Sequence, residues 1–104
     1  MKIYISGKIS STDLKETRKC FAAAAKVMKR LGYDPVNPLD NGLSEQDTWE
    51  AHIIKDIATL LQCKAIYMLQ DWQESKGARI EHYIATEIGI PITYEIEQSI
   101  NKSE

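Results

Sequence analysis

The hydrophobic positions along the chain follow two different spacings. Short runs rich in β-branched and aromatic residues are typical of strands, and apolar residues that recur every three or four positions are typical of helices. The strands are predicted at residues 2–6, 33–37, 65–69 and 90–96. The helices are predicted over about 13–31 and 48–62, with a third inside 75–91. Strand and helix alternate, which predicts a parallel sheet with helices on both faces and right-handed crossovers.

Single residues mark the ends of several elements. Gly32 follows the first helix where a left-handed residue commonly ends one. Asp47 is predicted to cap the second helix and Ser75 the third. Pro35 cannot donate a ladder hydrogen bond, so the second strand is expected at an edge of the sheet. The apolar stripes predict that Leu31, Leu61 and Ile88 face inward with the rest of their helices.

Composition is ordinary for a soluble globular domain, with 43% apolar and 27% charged residues. Its 104 residues are expected to form one domain, 1–104, with a frayed polar tail at about 97–104. A net charge of -2 indicates no attraction to nucleic acid polymers or anionic membranes, and no signal-peptide or membrane-span pattern is present. A cytoplasmic location is therefore expected. Cys20 and Cys63 are expected to be two buried thiols, and no spacing suggests a metal site.

Three polar loops follow the carboxyl ends of the first three strands. They are SGKISST at 6–12, NPLDNG at 37–42 and QDWQESKG at 70–77. Ligands of open parallel sheets bind outside the carboxyl ends of the strands, so we predict a site where these loops meet.

One carboxylate in the third helix interrupts an apolar stripe. Glu81 lies three residues after Ala78 and four before Ala85, on the face that should pack on the sheet. Glu81 has a structural and a functional interpretation. It either snorkels at the border of the stripe or pairs with Lys76 or Arg79, or it is a carboxylate directed into the ligand crevice, where the helix N-terminus favours its ionised form. An ionised, partly desolvated carboxylate is a fair nucleophile for a sugar carbon with cationic character.

Asp56 shows the same anomaly in the second helix. It lies between Ile53 and Leu60 at spacings of three and four. It either flanks the stripe and faces solvent, or it is a second inward carboxylate. Two carboxylates in different environments can divide nucleophilic and proton-transfer roles.

Other polar and aromatic residues near these loops have two interpretations each. The first loop with Ser75 and Gly77 is either a phosphate site, built from hydroxyls, backbone N–H groups and a lysine, or a polar loop with serine caps. The first-loop candidates are Ser6, Gly7, Lys8, Ser10 and Ser11. Trp72 is either a lid over the site or a cover for the core, and Tyr4 is a candidate for lining the crevice. Trp49 is predicted to lie in the core.

Four segments together resemble a known family. They are KIYISGKIS, GYDPVNP, DIATLLQCKAIYMLQDW and SKGARIEHYIATEIGIPI. In order and spacing, over about residues 2–94, they resemble the DUF4406 family, which is similar to nucleoside 2-deoxyribosyltransferases and 2′-deoxynucleoside 5′-phosphate N-hydrolases. The most specific piece is S-x-G-x-x-x-E, from Ser75 to Glu81. The resemblance implies a flavodoxin-like or Rossmann-like three-layer α/β sandwich whose four-stranded parallel sheet has the order 2-1-3-4.

The resemblance also implies roles for individual residues. Glu81 matches the nucleophile that takes the deoxyribosyl group, and Asp56 matches an aspartate that contacts the nucleoside. Ser75 matches a serine that helps to bind the 5′-phosphate of the hydrolases' substrates. The residues expected to bind substrate are Tyr4, Ser6, Gly7, Lys8, Asn37, Asp71, Trp72, Ser75 and Gly77.

The predicted function is N-glycosidic bond cleavage or deoxyribosyl transfer on 2′-deoxynucleosides or their 5′-monophosphates, through a covalent intermediate on Glu81 and without a cofactor or metal. Two alternatives stay open. One is a nucleotide-binding or sensing domain without turnover, which is favoured by Lys64 where the family usually has aspartate and by a chain shorter than the transferases. The other is an NAD glycohydrolase. A homodimer or higher homo-oligomer is expected, since the related enzymes close their sites with a neighbour.

Overall fold

The protein folds around one parallel sheet of four strands. The computed structural model describes residues 1–10, 12–44 and 46–96. The strands are β1 (Lys2–Ser6), β2 (Asp34–Val36), β3 (Ala65–Met68) and β4 (Ile92–Tyr94). The helices are α1 (Leu14–Arg30), α2 (Trp49–Leu60) and α3 (Lys76–Ile88), and 3₁₀ turns cover Pro38–Asp40 and Trp72–Glu74.

The order of the strands is β2-β1-β3-β4, and every pairing is parallel. The predicted α/β class and the 2-1-3-4 order are therefore confirmed. Pro35 lies in β2 at an edge of the sheet, as its missing N–H donor predicts.

Alternation of side chains along β1 divides the core into two layers. Ile3 and Ile5 lie on the face that α1 covers, where they pack in one cluster with Phe21 and Met28. Tyr4 lies on the opposite face, which α2 and α3 cover. Its cluster also contains Leu60, Cys63, Ile66, Met68, Ala78 and Ala85. Helices therefore cover both faces, and the small Ala78 and Ala85 let α3 pack closely on the strands.

The helix ends follow local hydrogen bonding. Ser75 caps α3 as predicted, since its Oγ accepts from the Ala78 N–H at 3.2 Å. The cap of α2 is Thr48, whose Oγ1 accepts from the Ala51 N–H at 3.1 Å. The prediction of Asp47 as that cap is wrong by one residue, because its carboxylate instead accepts from the Ser44 N–H at 2.8 Å. Gly32 has a φ of 95° after α1, the left-handed conformation expected there.

Some apolar positions predicted to face inward are exposed. Leu31, Leu61 and Ile88 are 65%, 55% and 48% exposed. Each is the last residue of its helix or the one after it, where the stripe has passed beyond the sheet. The prediction of two buried thiols is also wrong for Cys20, which lies exposed on α1, whereas Cys63 is buried.

Two parts of the predictions lie outside the described residues: the frayed tail at 97–104, and Ser11. Within the described ranges, none of the helices has the length and apolar character needed to span a lipid bilayer.

Candidate active site

Glu81 is buried against the carboxyl end of β1. Glu81 is 5% exposed and lies on the same face of α3 as Ala78 and Ala85. The Ser6 hydroxyl donates to Glu81 Oε1 at 2.6 Å, and the Tyr4 hydroxyl donates to Oε2 at 3.0 Å. Tyr4 and Ser6 reach the same carboxylate because residues two apart on a strand point to the same side. Both carboxylate oxygens are thus held by hydroxyls from one strand.

The environment of Glu81 makes it titrate near neutrality. Burial, together with the negative charge of Asp56, raises the pKa of Glu81 to about 7, against the lowering effect of the hydrogen bonds from Ser6 and Tyr4. The expectation that the helix N-terminus would simply keep Glu81 ionised is therefore corrected, because loss of hydration outweighs the favourable interactions. Burial and the charge of Glu81 raise the pKa of Tyr4 far above its ordinary range, so Tyr4 remains a donor.

A cavity of about 440 Å³ opens in front of this carboxylate. Six residues predicted for the site line it: Tyr4, Gly7, Asp56, Ser75, Gly77 and Glu81. Gly7 is required for the close approach of the first loop to the end of β3, since a Cβ there would lie 2.7 Å from Leu69 Cδ1. The volume is within the range of small-molecule sites.

Asp56 borders the same cavity from α2. It is 7% exposed, so the interpretation as a solvent-facing flank residue is wrong. Its Oδ1 accepts a hydrogen bond from Asn41 Nδ2 at 3.1 Å. Burial raises the pKa of Asp56, while the Asn41 hydrogen bond lowers it. Both carboxylates border one cavity, and the negative charge of Asp56 contributes to the raised pKa of Glu81.

Five residues predicted to bind substrate do not line the cavity. Ser6 lies behind Glu81, and its hydroxyl donates a hydrogen bond to that carboxylate. Lys8 Nζ pairs with exposed Glu74 at 3.0 Å. The three others are Asp71, Asn37 and Trp72. The Asp71 carboxylate accepts from the Lys8 N–H, and the Asn37 side chain accepts from the Leu39 N–H.

Trp72 is a cover for the core and not a lid over the cavity. It packs against the cluster on the α2 and α3 face. Its ring stacks on His82 with centroids 4.2 Å apart, and His82 Nε2 lies 2.8 Å from the Tyr94 hydroxyl. None of the three residues of this stack contributes to the cavity lining.

Several lining residues were not predicted as site residues. The polar and aromatic ones are Arg18, Asn41, Asp47, Trp49 and His52. Trp49, predicted as core, is 43% exposed, because the first turn of α2 extends beyond the sheet. His52 precedes Asp56 by one helical turn, a spacing that could have associated it with that carboxylate. Arg18 follows Leu14, another lining residue, at the same spacing. Among the described residues, no group of three or more His, Cys, Asp or Glu side chains is arranged to hold a metal ion.

Comparison with known proteins gives a fold counterpart and a family. A solved structure, "2-desoxiribosyltransferase from Leishmania mexicana", superposes with a TM-score of 0.66 over 89% of this chain at 21% sequence identity. This chain covers 62% of that protein's length, and the likeness at this identity concerns the fold. No curated protein matches the sequence. The model of the family described as "Domain of unknown function (DUF4406)" matches residues 1–94, nearly the whole length, and the chain therefore belongs to the DUF4406 family.

Proposed function

We propose that the protein cleaves the N-glycosidic bond of a 2′-deoxynucleoside or its 5′-monophosphate, or transfers the deoxyribosyl group to another base, through a covalent intermediate on Glu81. The observation that carries the proposal is a buried carboxylate, held through both oxygens, at the border of a cavity large enough for a nucleoside. Glu81 is not paired with Lys76 or Arg79, whose side chains contact Trp49 and the Gln73 carbonyl.

In the first step, a Glu81 oxygen attacks C1′ of the sugar. The C1′–N bond breaks, its electron pair stays on the base nitrogen, and the departing base takes a proton from water. The carboxylate charge stabilises the cationic character that develops at C1′. The hydroxyls of Tyr4 and Ser6 hold the carboxylate in one orientation, so little reorganisation is needed when the bond forms.

Asp56 acts on the base and later on the attacking water. Its Oδ2 receives no hydrogen bond from the described residues and is free to accept an N–H of the base. In the second step, water attacks C1′, Asp56 takes the proton of that water, and the C1′–O bond to Glu81 breaks. A pKa raised by burial makes Asp56 a better proton acceptor than an exposed aspartate. Replacing water with a second base gives transfer instead of hydrolysis.

Charge at the cavity bears on the phosphorylation state of the substrate. Arg18 is the one lysine or arginine among the described residues that lines the cavity, and Lys8 is occupied by Glu74. We therefore assign a 5′-phosphate, if the substrate carries one, to Arg18 rather than to Lys8. The shared fold with a protein named as a 2-desoxiribosyltransferase supports deoxyribosyl chemistry as the class of reaction.

The test is release of free base. The wild-type protein is incubated with each 2′-deoxynucleoside, each 5′-monophosphate and NAD, with and without an acceptor base, and products are separated by chromatography. We expect base release that falls by several orders of magnitude in Glu81→Gln, because the amide cannot form the glycosyl ester. The matched control is Glu87→Gln, on the exposed face of α3, which should retain the wild-type rate.

The same panel separates the alternatives. Nucleotide binding to wild type without release of any base would replace the enzymatic proposal with a binding or sensing domain. Release of nicotinamide from NAD, and of no base from the deoxynucleosides, would assign an NAD glycohydrolase. Unchanged turnover in Glu81→Gln would remove Glu81 from the chemistry.

A further inference from the structure

Both the nitrogen and the oxygen of the Asn41 side-chain amide form hydrogen bonds within the cavity wall. Asn41 Nδ2 lies 3.1 Å from Asp56 Oδ1 and 3.2 Å from His52 Nδ1. Asn41 Oδ1 accepts from the Leu43 N–H at 2.9 Å. The amide therefore joins the loop after β2 to two side chains of α2.

His52 sets the direction of these hydrogen bonds. Its Nε2 lies 2.9 Å from the Ser44 carbonyl oxygen, which can only accept, so Nε2 carries the hydrogen. Nδ1 of the neutral ring is then an acceptor, and Asn41 donates one amide hydrogen to His52 and the other to Asp56. A flipped amide would direct its oxygen at two acceptors and its NH₂ at the Leu43 N–H, so one orientation is selected.

The arrangement leaves one oxygen of Asp56 accessible. Oδ1 is held by Asn41, and the described part of the chain contains no buried side-chain oxygen without a hydrogen-bond partner. Oδ2, which has no partner there, is consequently accessible. Asp56 borders both the cavity in front of Glu81 and a second cavity of about 280 Å³ beside Thr59. A carboxylate held through one oxygen has its second oxygen aimed in a fixed direction.

We propose that Asn41 is a positioning residue for Asp56, with His52 as the group that orients Asn41, so that Asp56 Oδ2 meets an N–H of the base. This inference rests on the proposed function for the identity of the ligand. It goes beyond that function in assigning the loop after β2 a direct part in alignment of the base, although Asn41 lies 15 residues from Asp56 in sequence.

Loss of Asn41 has two effects on Asp56. The carboxylate becomes free to rotate, and a hydrogen bond that lowers its pKa disappears. The titratable groups that face Asp56 are His52 of its own helix, Tyr4 of β1 and Glu81 of α3. All three groups are still present when Asn41 is substituted. A further rise of the Asp56 pKa is therefore attributed to loss of the Asn41 hydrogen bond.

The test uses Asn41→Ser, whose hydroxyl can still accept from the Leu43 N–H but is too short to reach Asp56. The carboxyl titration of Asp56 is followed by ¹³C NMR without substrate, and kcat and KM for base release are measured in parallel. We expect a higher pKa for Asp56 and a loss in kcat/KM of about 10- to 100-fold, as for a displaced reacting group. The control is Glu87→Gln, exposed on α3 and outside the lining of both cavities that Asp56 borders, which should change neither.

A second variant protects the test against simple unfolding. His52→Leu leaves Asn41 in place but removes the acceptor that orients it, and we expect a smaller rise of the Asp56 pKa and a smaller loss of kcat/KM. An Asp56 titration that is unchanged in folded Asn41→Ser overturns the inference, whatever happens to the rate. Because this NMR measurement needs no substrate, it remains informative if the wild-type protein releases no base, a result that overturns the proposed function alone.

Discussion

Two walls of the cavity are built in different ways. The Glu81 wall consists of Tyr4 and Glu81, with Ser6 behind them, and these residues of β1 and α3 are at most 5% exposed. The loop wall consists of Asn41, Trp49, His52 and Asp56, from the loop after β2 and the first two turns of α2. In the first wall the same contacts hold the fold and position the carboxylate. In the second wall only Asp56 is buried, so the others can change with less effect on the fold.

The largest expected difference concerns stability and pH at the Glu81 wall. The pKa of Glu81 is raised from an ordinary 4.5 to about 7, so the folded state binds the proton more tightly than the unfolded chain. Ionisation of Glu81 therefore destabilises the folded state. This loss of stability is absent at a pH below the pKa of Glu81 in the unfolded chain, and it is complete at a pH above the pKa of Glu81 in the folded protein. Relative to Glu81→Gln, the free energy of unfolding of wild type should therefore fall by about 3 kcal/mol as the pH rises from below 4.5 to above 7.

Urea denaturation of the two proteins at several pH values measures this difference. Glu87→Gln is the control, since an exposed glutamate on the same helix should give no comparable pH dependence. A constant difference between wild type and Glu81→Gln across this range would mean that Glu81 is hydrated, and the contrast between the two walls would be lost.

A smaller effect is expected from Ser6→Ala, which removes the 2.6 Å hydrogen bond to Glu81 Oε1 and keeps the strand intact. A hydrogen bond to a charged group contributes about 1.5–3 kcal/mol, so the pKa of Glu81 should rise by about one unit or more. The acidic limb of the pH–rate profile for base release should move upward by the same amount. Thr86→Ala, which loses an exposed hydroxyl bonded to the His82 carbonyl, should leave the limb in place.

The smallest stability effect is expected at the loop wall, in Trp49→Ala. Trp49 is 43% exposed, and its contact with Lys76 Nζ, 4.3 Å from the ring centroid, is a weak surface interaction. We expect the free energy of unfolding to fall by about 1 kcal/mol or less. Because Trp49 presents an aromatic surface to the cavity on which a base can stack, we expect its loss to raise KM about tenfold with kcat nearly unchanged. Ile54→Ala, on the outer side of α2, is the control. A large loss of stability would show that both walls support the fold equally.

The two walls also differ in how well sequence patterns predict them. Helical spacing directs Glu81 inward with Ala78 and Ala85, and strand alternation brings Tyr4 and Ser6 to one side, because both periods are local properties of the chain. The strand order 2-1-3-4 comes from the family resemblance, whereas the alternation of elements predicts only a parallel sheet.

The loop wall follows no such period. The contact of Asn41 with Asp56 depends on the path of an irregular segment. The pattern that assigns Lys8 to a phosphate site does not show its partner Glu74, which lies 66 residues away in sequence. Trp49 continues the apolar stripe of α2 and therefore resembles a core residue, since the pattern does not show where the sheet ends. The protonation of Glu81 depends on its desolvation in the folded protein, which a sequence pattern does not report.

The buried position of Glu81 couples ligand binding to proton exchange. With a pKa of about 7, the site holds a fraction of a proton at neutral pH. A neutral ligand that displaces water from the carboxylate would raise this pKa further and draw a proton from the buffer, whereas a cationic group placed beside it would release one. The affinity of the cavity would then vary with pH even for a ligand that has no titratable group of its own, and the sign of that variation would report the charge of whatever lies against Glu81.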